Sequence, residues 1–346
     1  MVYLNAISYY LPEKSIDNNE IIKDFFDFGG KSNVDITPES IFRQCGINTR
    51  FSAYPQETAK DLGNRAAVKL FEEWNIDKST VDYLIFVSDA LEYKSPSTSS
   101  VMQNDLGLEQ SIAALDVLQG CTGWVYGLSL AKALIHSGIA KKVLVVTADL
   151  PTRVIHPEDL ELRSIFSDGG AASLISDEMI ESGINHSIGD FVFGTDGRGS
   201  KNLWVERSAT RDPADEAWLK QYRNVPSKLL GGRLRMDSPK IFLFAVRRVP
   251  QLIKAILQKH EMEIDQIDLF IFHQANGTML EFLRKRMKIP KEKFVISLEH
   301  IGNTVSATIP IALRGELDKR EIEKGQKILV AGFGIGYSWG ATILTS

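Results

Sequence analysis

Cysteine is scarce in this chain, and its scarcity limits the kinds of protein that the chain can be. Only two of the 346 residues are cysteine, Cys45 and Cys121, whereas small secreted domains held by disulfides carry many more. We therefore expect two reduced thiols and a cytoplasmic location. The first residues lack a basic segment followed by an apolar one, and no apolar run approaches the ~18 residues of a membrane span. Neither a signal peptide nor membrane insertion is expected.

An excess of positive charge is missing as well. The chain has 40 Lys and Arg residues against 44 Asp and Glu, a net charge of −4, so no nucleic-acid partner is expected. Hydrophobic residues make up 44% and charged residues 24%, as in an ordinary globular enzyme. A chain of 346 residues is too long for one ordinary core, which predicts two domains or a duplicated unit.

Three pairs of similar segments occur in the same order along the chain, which favours duplication. The pairs are 82–87 with 268–273, 141–146 with 326–331, and 170–176 with 340–346. The first two pairs have nearly equal offsets, and a shorter final connection in the second copy would explain the third. We expect two similar halves, an N-terminal one over 1–177 that carries the cysteine discussed below and a C-terminal one over 178–346.

Short apolar runs alternate with helical patterns in both halves, which predicts an α/β fold. YLIFVS, KKVLVVTA, DLFIFH and QKILVAGF are rich in β-branched residues, as in strands of a sheet covered on both faces. Thr122 to His136 predicts a helix with one apolar face. The polar stretch from Asp190 to Gly232 predicts an insertion or a long loop.

Cys121 is the first candidate for chemistry. It follows the apolar segment 114–118 and Gly120, and it precedes the predicted helix. A thiol at a helix start is predicted to favour the thiolate, because the helix dipole and free N–H groups stabilise negative charge. Since most free cysteines are buried structural residues, this segment by itself leaves both interpretations open.

Three further motifs fall at the ends of predicted strands or at helix starts. His273 follows an apolar strand, where active sites of α/β proteins form, although a lone histidine at a strand end is often structural. Asn276 and Asn303 each precede a helix and can be simple helix caps. The glycine-rich loop GFGIGYSWG matches neither dinucleotide nor P-loop spacing, so backbone N–H groups that bind a thioester oxygen fit it better.

Taken together, these motifs resemble the β-ketoacyl-acyl-carrier-protein synthase III group of the thiolase superfamily. The resemblance runs over nearly the whole chain, from ISYYLPEKSIDNNEI through CGINTRF to WGATIL. It rests on the order of Cys121, HQAN at 273–276, GNT at 302–304 and GFGxGxxWG at 332–340, with FSDGGAA at 166–172 in addition. The resemblance implies a duplicated, five-layered αβαβα thiolase-like fold.

The resemblance also implies an acyltransferase mechanism with a Cys-His-Asn triad. Cys121 would carry the acyl group, and His273 and Asn303 would hold a malonyl thioester while decarboxylation produces the attacking enolate. The backbone N–H groups of Cys121 and Ile335 would form an oxyanion hole. Substrate contact is assigned to four residues, and no metal or organic cofactor is implied. These four residues are Asn276, Phe333, Gly334 and Gly336.

An acyl carrier protein is the implied partner, and family members are usually homodimers. The segment LRKRMKIPKEK offers basic residues after the His273 strand, and we assign carrier docking to Arg284, Lys285 and Arg286, with a solvated helix face as the alternative. The family clamps the adenine of coenzyme A between a Trp and an Arg. Those positions fall on Ser40 and Leu160 here, so we expect a carrier-protein or unusual acyl donor and a fatty-acid or specialised biosynthetic role.

Two other functions remain open at this point. One is a non-decarboxylative condensing enzyme that resembles 3-hydroxy-3-methylglutaryl-CoA synthase and needs a carboxylate base in the loop after YLIFVS, where Asp89 and Glu92 lie. A surface position is the commoner fate of such acids. The other is a non-catalytic acyl-binding subunit, against which the presence of Cys, His and Asn argues.

Overall fold

The strands of the protein form one large mixed sheet. The computed structural model describes residues 1–213, 215–220, 232–320 and 322–346, with only the backbone at 218 and 219. The strands of this part of the chain are β1 (Tyr3–Tyr10), β2 (Ser15–Asp17), β3 (Thr49–Phe51), β4 (Tyr83–Ser88), β5 (Ala113–Leu118), β6 (Lys142–Asp149), β7 (Gly169–Ser176), β8 (His186–Thr195), β9 (Leu203–Glu206), β10 (Arg233–Met236), β11 (Leu269–Phe272), β12 (Lys327–Gly334) and β13 (Ser338–Thr345).

The helices lie on both faces of this sheet. Those in the described residues are α1 (Asn18–Asp27), α2 (Pro38–Cys45), α3 (Ala59–Glu73), α4 (Thr98–Leu106), α5 (Gly123–His136), α6 (Leu160–Ile165), α7 (Glu216–Leu219), α8 (Ser238–Lys259), α9 (Gly277–Arg286) and α10 (Thr308–Leu317). The four strands and the helix that the sequence predicts are confirmed as β4, β6, β11, β12 and α5. In this part of the chain, no helix combines the length and apolarity that crossing a bilayer requires.

Apart from the edge strand β5, the strand order is symmetric about the junction of β1 and β8. It runs β11-β12-β13-β8-β1-β7-β6-β4-β5. The three matched sequence pairs therefore occupy equivalent places, β4 with β11, β6 with β12, and β7 with β13. The two sides meet at β1 and β8, which pair only at Tyr3 with Ser187 and at Leu4 with His186. This symmetry supports our proposal of two halves, 1–177 and 178–346.

Side-chain alternation along the strands builds five layers. Val143 and Val145 of β6 pack with α5 and α10 in a central apolar core, whereas Leu144 and Val146 face α3 and α4 on the outer side. In the second half, Leu329 of β12 faces α8 and α9. Because neighbouring residues of a strand point to opposite faces of the sheet, helices cover both faces of each half of the sheet. The predicted αβαβα arrangement is confirmed.

The predicted insertion between Asp190 and Gly232 begins later than expected. β8 continues to Thr195, because its residues 191–195 pair with β13. Beyond it, β9 and β10 form a separate antiparallel pair. The part of the insertion at 214 and 221–231 lies outside the described residues.

Candidate active site

Cys121 lies in the tight connection between β5 and α5, as the sequence predicts. The side chain is buried, with 5% exposed. The Gly123 N–H donates to the Gly120 carbonyl at 2.7 Å, which closes a turn around the cysteine. Gly334 approaches the thiol so closely that a Cβ atom there would lie 2.6 Å from Sγ. The sulfur is therefore enclosed by backbone from both halves.

The protonation of this thiol differs from the expectation. Burial raises the pKa of Cys121 to about 12; the Ile335 N–H lowers this pKa, and the carboxylates of Asp89 and Asp149 raise it. The expected low pKa is therefore wrong for this fold, because loss of water around the sulfur disfavours the thiolate. The Ile335 N–H, which the family resemblance assigns to the oxyanion hole, hydrogen-bonds to the sulfur and favours the thiolate.

Two hydroxyl groups hold the Ile335 segment in place. Ser338 Oγ donates to the Ile335 carbonyl at 2.8 Å and lies 2.8 Å from Thr122 Oγ1. Thr122 immediately follows the nucleophile, so this link ties the glycine-rich loop to the start of α5. The sequence assigned no role to Ser338 or Thr122, since hydroxyl residues in a loop carry no signal of their own.

His273 follows β11 and is buried, with 1% exposed. Its backbone N–H donates to the Ala331 carbonyl at 2.8 Å, and its Nδ1 lies 2.7 Å from Thr308 Oγ1. Burial lowers the pKa of this histidine to about 3, although the Val305 backbone raises it, so the imidazole is neutral at pH 7. The edge-to-face contact with Phe333, at 5.8 Å between ring centres, fixes the ring.

Asn303 presents its amide in one defined orientation. The Asn303 Oδ1 atom accepts from the Val305 N–H at 2.9 Å, and Nδ2 donates to the Ala275 carbonyl at 3.2 Å. An amide nitrogen has two hydrogens, so one remains for a ligand. The contact of Oδ1 with the Val305 N–H is the capping role that its place in the sequence allowed.

These residues from the two halves line one mostly apolar cavity of about 220 Å³. A larger cleft of about 660 Å³ shares only Phe166 with this cavity and contains none of the triad. Of the residues predicted to contact substrate, three line the smaller cavity and Gly336 does not. The predicted site residues that line the smaller cavity are Cys121, His273, Asn276, Asn303, Phe333 and Gly334. Its apolar walls are formed by Ile165, Phe166, Leu203, Met236, Ile241, Phe242, Phe244 and Met279.

Asn276 and Gly336 have identifiable structural roles. The Asn276 side chain caps α9 by accepting from the Met279 N–H at 3.2 Å, in addition to lining the cavity. Gly336 has φ +129, a backbone conformation that L side chains rarely adopt. It serves the turn that leads into β13.

The basic residues assigned to docking lie at the end of α9. Arg284 forms two hydrogen bonds of 2.7 Å with Glu281 and a third with the Ile289 carbonyl, so its guanidinium serves the helix end. Lys285 is 3.3 Å from Glu281, yet its side chain remains 69% exposed, and Arg286 is also exposed. Of the three assigned residues, Lys285 and Arg286 are therefore the exposed ones.

The positions of the family's coenzyme A clamp are used for other purposes here. Ser40 completes a capping box with Thr37 at the start of α2, and Leu160, the first residue of α6, packs against the core. Neither lines the cavity. Gln44 and Glu161 line it instead, which places an amide and an acid on its wall.

The two carboxylates considered as bases lie outside the cavity lining. Asp89 is exposed, as a surface acid would be, although its Oδ2 lies 3.5 Å from the position of a Cβ atom on Gly120. Loss of water around the carboxyl group and the neighbouring Asp149 raise the pKa of Asp89 above its ordinary value. Glu92 is tied to α4 through its backbone N–H, which donates to Thr98 Oγ1.

Comparison with known proteins shows the family of the chain. Family models described as 3-oxoacyl-[acyl-carrier-protein (ACP)] synthase III and its C-terminal part match residues 115–197 and 257–346. A β-ketoacyl-[acyl-carrier-protein] synthase III of Fusobacterium nucleatum is 31% identical over 99% of this chain and 97% of its own length.

Solved structures give the same result. A 3-oxoacyl-(acyl-carrier-protein) synthase III superposes with a TM-score of 0.90 at 36% identity, covering 100% of this chain and 99% of that one. The priming β-ketosynthase of the R1128 polyketide pathway superposes with a TM-score of 0.84 at 26% identity, covering 100% and 96%.

Proposed function

Because the chain belongs to the 3-oxoacyl-[acyl-carrier-protein] synthase III family and is a condensing acyltransferase, we propose that it joins an acyl group on Cys121 to a malonyl thioester with loss of carbon dioxide. One observation carries this proposal: Cys121, His273 and Asn303 line the same buried cavity although they come from different halves. The donors that the cavity offers fit the two steps of such a reaction.

The first step is transfer of the acyl group to Cys121. The sulfur attacks the thioester carbonyl, and the departing thiol takes the proton that Cys121 gives up. The Ile335 N–H, directed at the sulfur, and the N–H of Cys121 itself stabilise negative charge on the carbonyl oxygen. The apolar walls hold the chain of the acyl group.

The second step is decarboxylation and carbon–carbon bond formation. His273 and Asn303 donate to the thioester carbonyl of the malonyl group, and the enolate that forms on loss of carbon dioxide attacks the acyl-Cys121 carbonyl. The carbon–sulfur bond to Cys121 then breaks, and the departing thiolate takes a proton from solvent. For His273, donation to the carbonyl requires the proton on Nε2. We propose that Nε2 carries it; Nδ1, 2.7 Å from Thr308 Oγ1, then accepts from the Thr308 hydroxyl, which gives up its bond to the Val305 carbonyl at 3.1 Å.

The acyl donor and the malonyl thioester are proposed to arrive on an acyl carrier protein. Ser40 and Leu160 offer no clamp for adenine, and Glu161 on the cavity wall disfavours a polyphosphate nearby. Exposed Lys285 and Arg286 fit an acidic carrier surface. The mechanism uses no metal or organic cofactor, and the product serves fatty-acid or specialised metabolite synthesis.

We also propose a homodimer in the cytoplasm. The strand β5 is an edge of the sheet, and its last residue, Leu118, is 68% exposed. An open apolar edge favours pairing with a second copy through a two-fold axis. Both cysteines are free, as in proteins of a reducing compartment.

Carbon dioxide release discriminates between this function and the alternatives. Protein acylated in advance is mixed with a carboxyl-labelled malonyl thioester, and one carbon dioxide per 3-oxoacyl product is expected. H273A and N303A should keep acylation and lose product formation. Condensation without carbon dioxide release would establish a non-decarboxylative enzyme, and no acylation of the wild-type protein would leave only the acyl-binding subunit.

A further inference from the structure

Asp149, the last residue of β6, is a fully buried carboxylate that joins the two halves of the protein. Its Oδ1 accepts from Ser88 Oγ at 3.1 Å and from the Asp89 N–H at 2.8 Å, both in the first half. Its Oδ2 accepts from the N–H of Ser306 at 3.0 Å and from the Ser306 hydroxyl, both in the second half. Four hydrogen bonds therefore satisfy this buried carboxyl group, which would be costly to bury without them.

Ser306 stands between the contacts that orient the two catalytic partners of the second half. On one side, the Val305 N–H holds the Asn303 amide through Oδ1 at 2.9 Å. On the other side, Thr308 Oγ1 reaches both the Val305 carbonyl and His273 Nδ1. A shift of this short turn would therefore move the amide and the imidazole together.

The turn holds a conformation that it would not adopt by itself. Val305 has φ +55, which is unfavourable for a β-branched residue. Such a conformation persists only where surrounding contacts determine it. The two hydrogen bonds from Ser306 to Asp149 are contacts of this kind, and they come from the opposite half of the molecule.

The nucleophile is held by a different set of contacts. Cys121 is enclosed by Gly334, and the Ile335 segment is fixed by Ser338 and Thr122. Neither set includes a hydrogen bond to Asp149. We infer that Asp149 is a positioning residue for the condensation step, acting through Ser306 on Asn303 and His273, and that its loss does not slow transfer of the acyl group to Cys121.

This inference rests on the proposed function and is tested by measuring the two half-reactions separately in D149N. Acylation of Cys121 is followed by intact mass over time, and condensation is followed as product from protein acylated in advance. Condensation should fall about 100-fold, as when an oxyanion donor is lost. Acylation should be no slower, because loss of a nearby negative charge favours the thiolate. A purely structural role would slow both half-reactions alike.

Two further variants keep the test decisive. S306A removes one of the two Ser306 donors, and it should slow condensation more than acylation, as D149N does. It decides the question if D149N does not fold. D82N is the matched control, since Asp82 also accepts from two backbone N–H groups, at the other end of β6; it should leave the ratio of the half-reactions unchanged.

The outcomes separate the inference from the proposed function. Equal effects on both half-reactions, or no effect on condensation, in D149N or S306A would overturn the inference while wild-type activity stands. Failure of the wild-type protein to acylate or to condense would instead overturn the proposed function.

Discussion

The sulfur of Cys121 lies only 2.6 Å from the position that a Cβ atom on Gly334 would occupy, and Cys121 Cβ lies only 2.7 Å from it. These distances are far shorter than any real carbon contact, so this glycine is required by the nucleophile. We predict that G334A lowers the rate of Cys121 acylation at least ~100-fold and destabilises the fold by about 1–3 kcal/mol, as overpacking does.

G315A is the control for this substitution. Gly315 lies inside α10 and has open space where a Cβ atom would go. Alanine there should keep full acylation and raise the stability by about 0.5–1 kcal/mol, since glycine disfavours a helix. Normal acylation by G334A would contradict the close packing around the sulfur.

The reactivity of the thiol should rise steadily with pH. With a pKa of about 12, roughly one Cys121 in 10⁵ is a thiolate at pH 7, and the fraction grows about tenfold per pH unit. We therefore expect the rate of alkylation by iodoacetamide to increase with unit slope from pH 6 to 10. C121A gives the background alkylation of Cys45. A rate that stops rising below pH 8 would contradict the prediction, because it would show a thiolate far more stable than burial of the sulfur allows.

The hydroxyl of Thr308 should matter for condensation and not for acylation. Replacing it with the isosteric T308V removes the partner of His273 Nδ1, so the proton on Nε2 is no longer fixed. We expect condensation to fall about 100-fold, at the lower end of what general acid–base groups contribute, with acylation unchanged. T308S retains the hydroxyl and should remain close to wild type. Full condensation activity in T308V would contradict the proposal that the Thr308 hydroxyl keeps the His273 proton on Nε2.

Reversal of the exposed charges at Lys285 and Arg286 of α9 should weaken binding of a carrier-bound acyl donor. We expect K285E/R286E to raise the KM for an acyl-carrier-protein donor about tenfold and to make it less dependent on salt, because rim charges mainly steer encounter. The KM for an acyl-pantetheine donor should not change.

K319E/R320E at the end of α10 is the matched control. Lys319 and Arg320 are also exposed, and each forms an ion pair with Glu316, which lies three or four residues earlier. Unchanged carrier-dependent turnover in K285E/R286E, or an equal loss in both variants, would end the docking proposal.

The α/β class and the two similar halves could be predicted from the sequence because apolar strands buried on both faces repeat along it, whereas the five layers were implied by the family resemblance. Matched segments such as 82–87 and 268–273 lie at equivalent places in the sheet. The length of β8 could not be predicted, since residues up to Thr195 join the sheet only through pairing with β13. That pairing is a long-range contact that local residue pattern does not encode.

The site could be predicted only in part, for a similar reason. Cys121, His273 and Asn303 stand at strand ends and helix starts, where local pattern and family resemblance coincide. Asp149 and Thr308 acquire meaning only from partners in space, Ser306 and His273, which the sequence does not place beside them. The pKa of Cys121 was misjudged because a helix start is visible in sequence, whereas burial of the sulfur is not.

The central claim is that Cys121 carries the acyl group during the reaction. Intact mass spectrometry of wild-type protein and C121A after incubation with a panel of acyl thioesters tests it most directly. We predict that the wild-type mass increases by one acyl group, that the group maps to the peptide with Cys121, and that a malonyl thioester then removes it as 3-oxoacyl product. C121A should gain no mass. Stable acylation of C121A, or an acyl group on the wild type that a malonyl thioester does not discharge, would contradict the account.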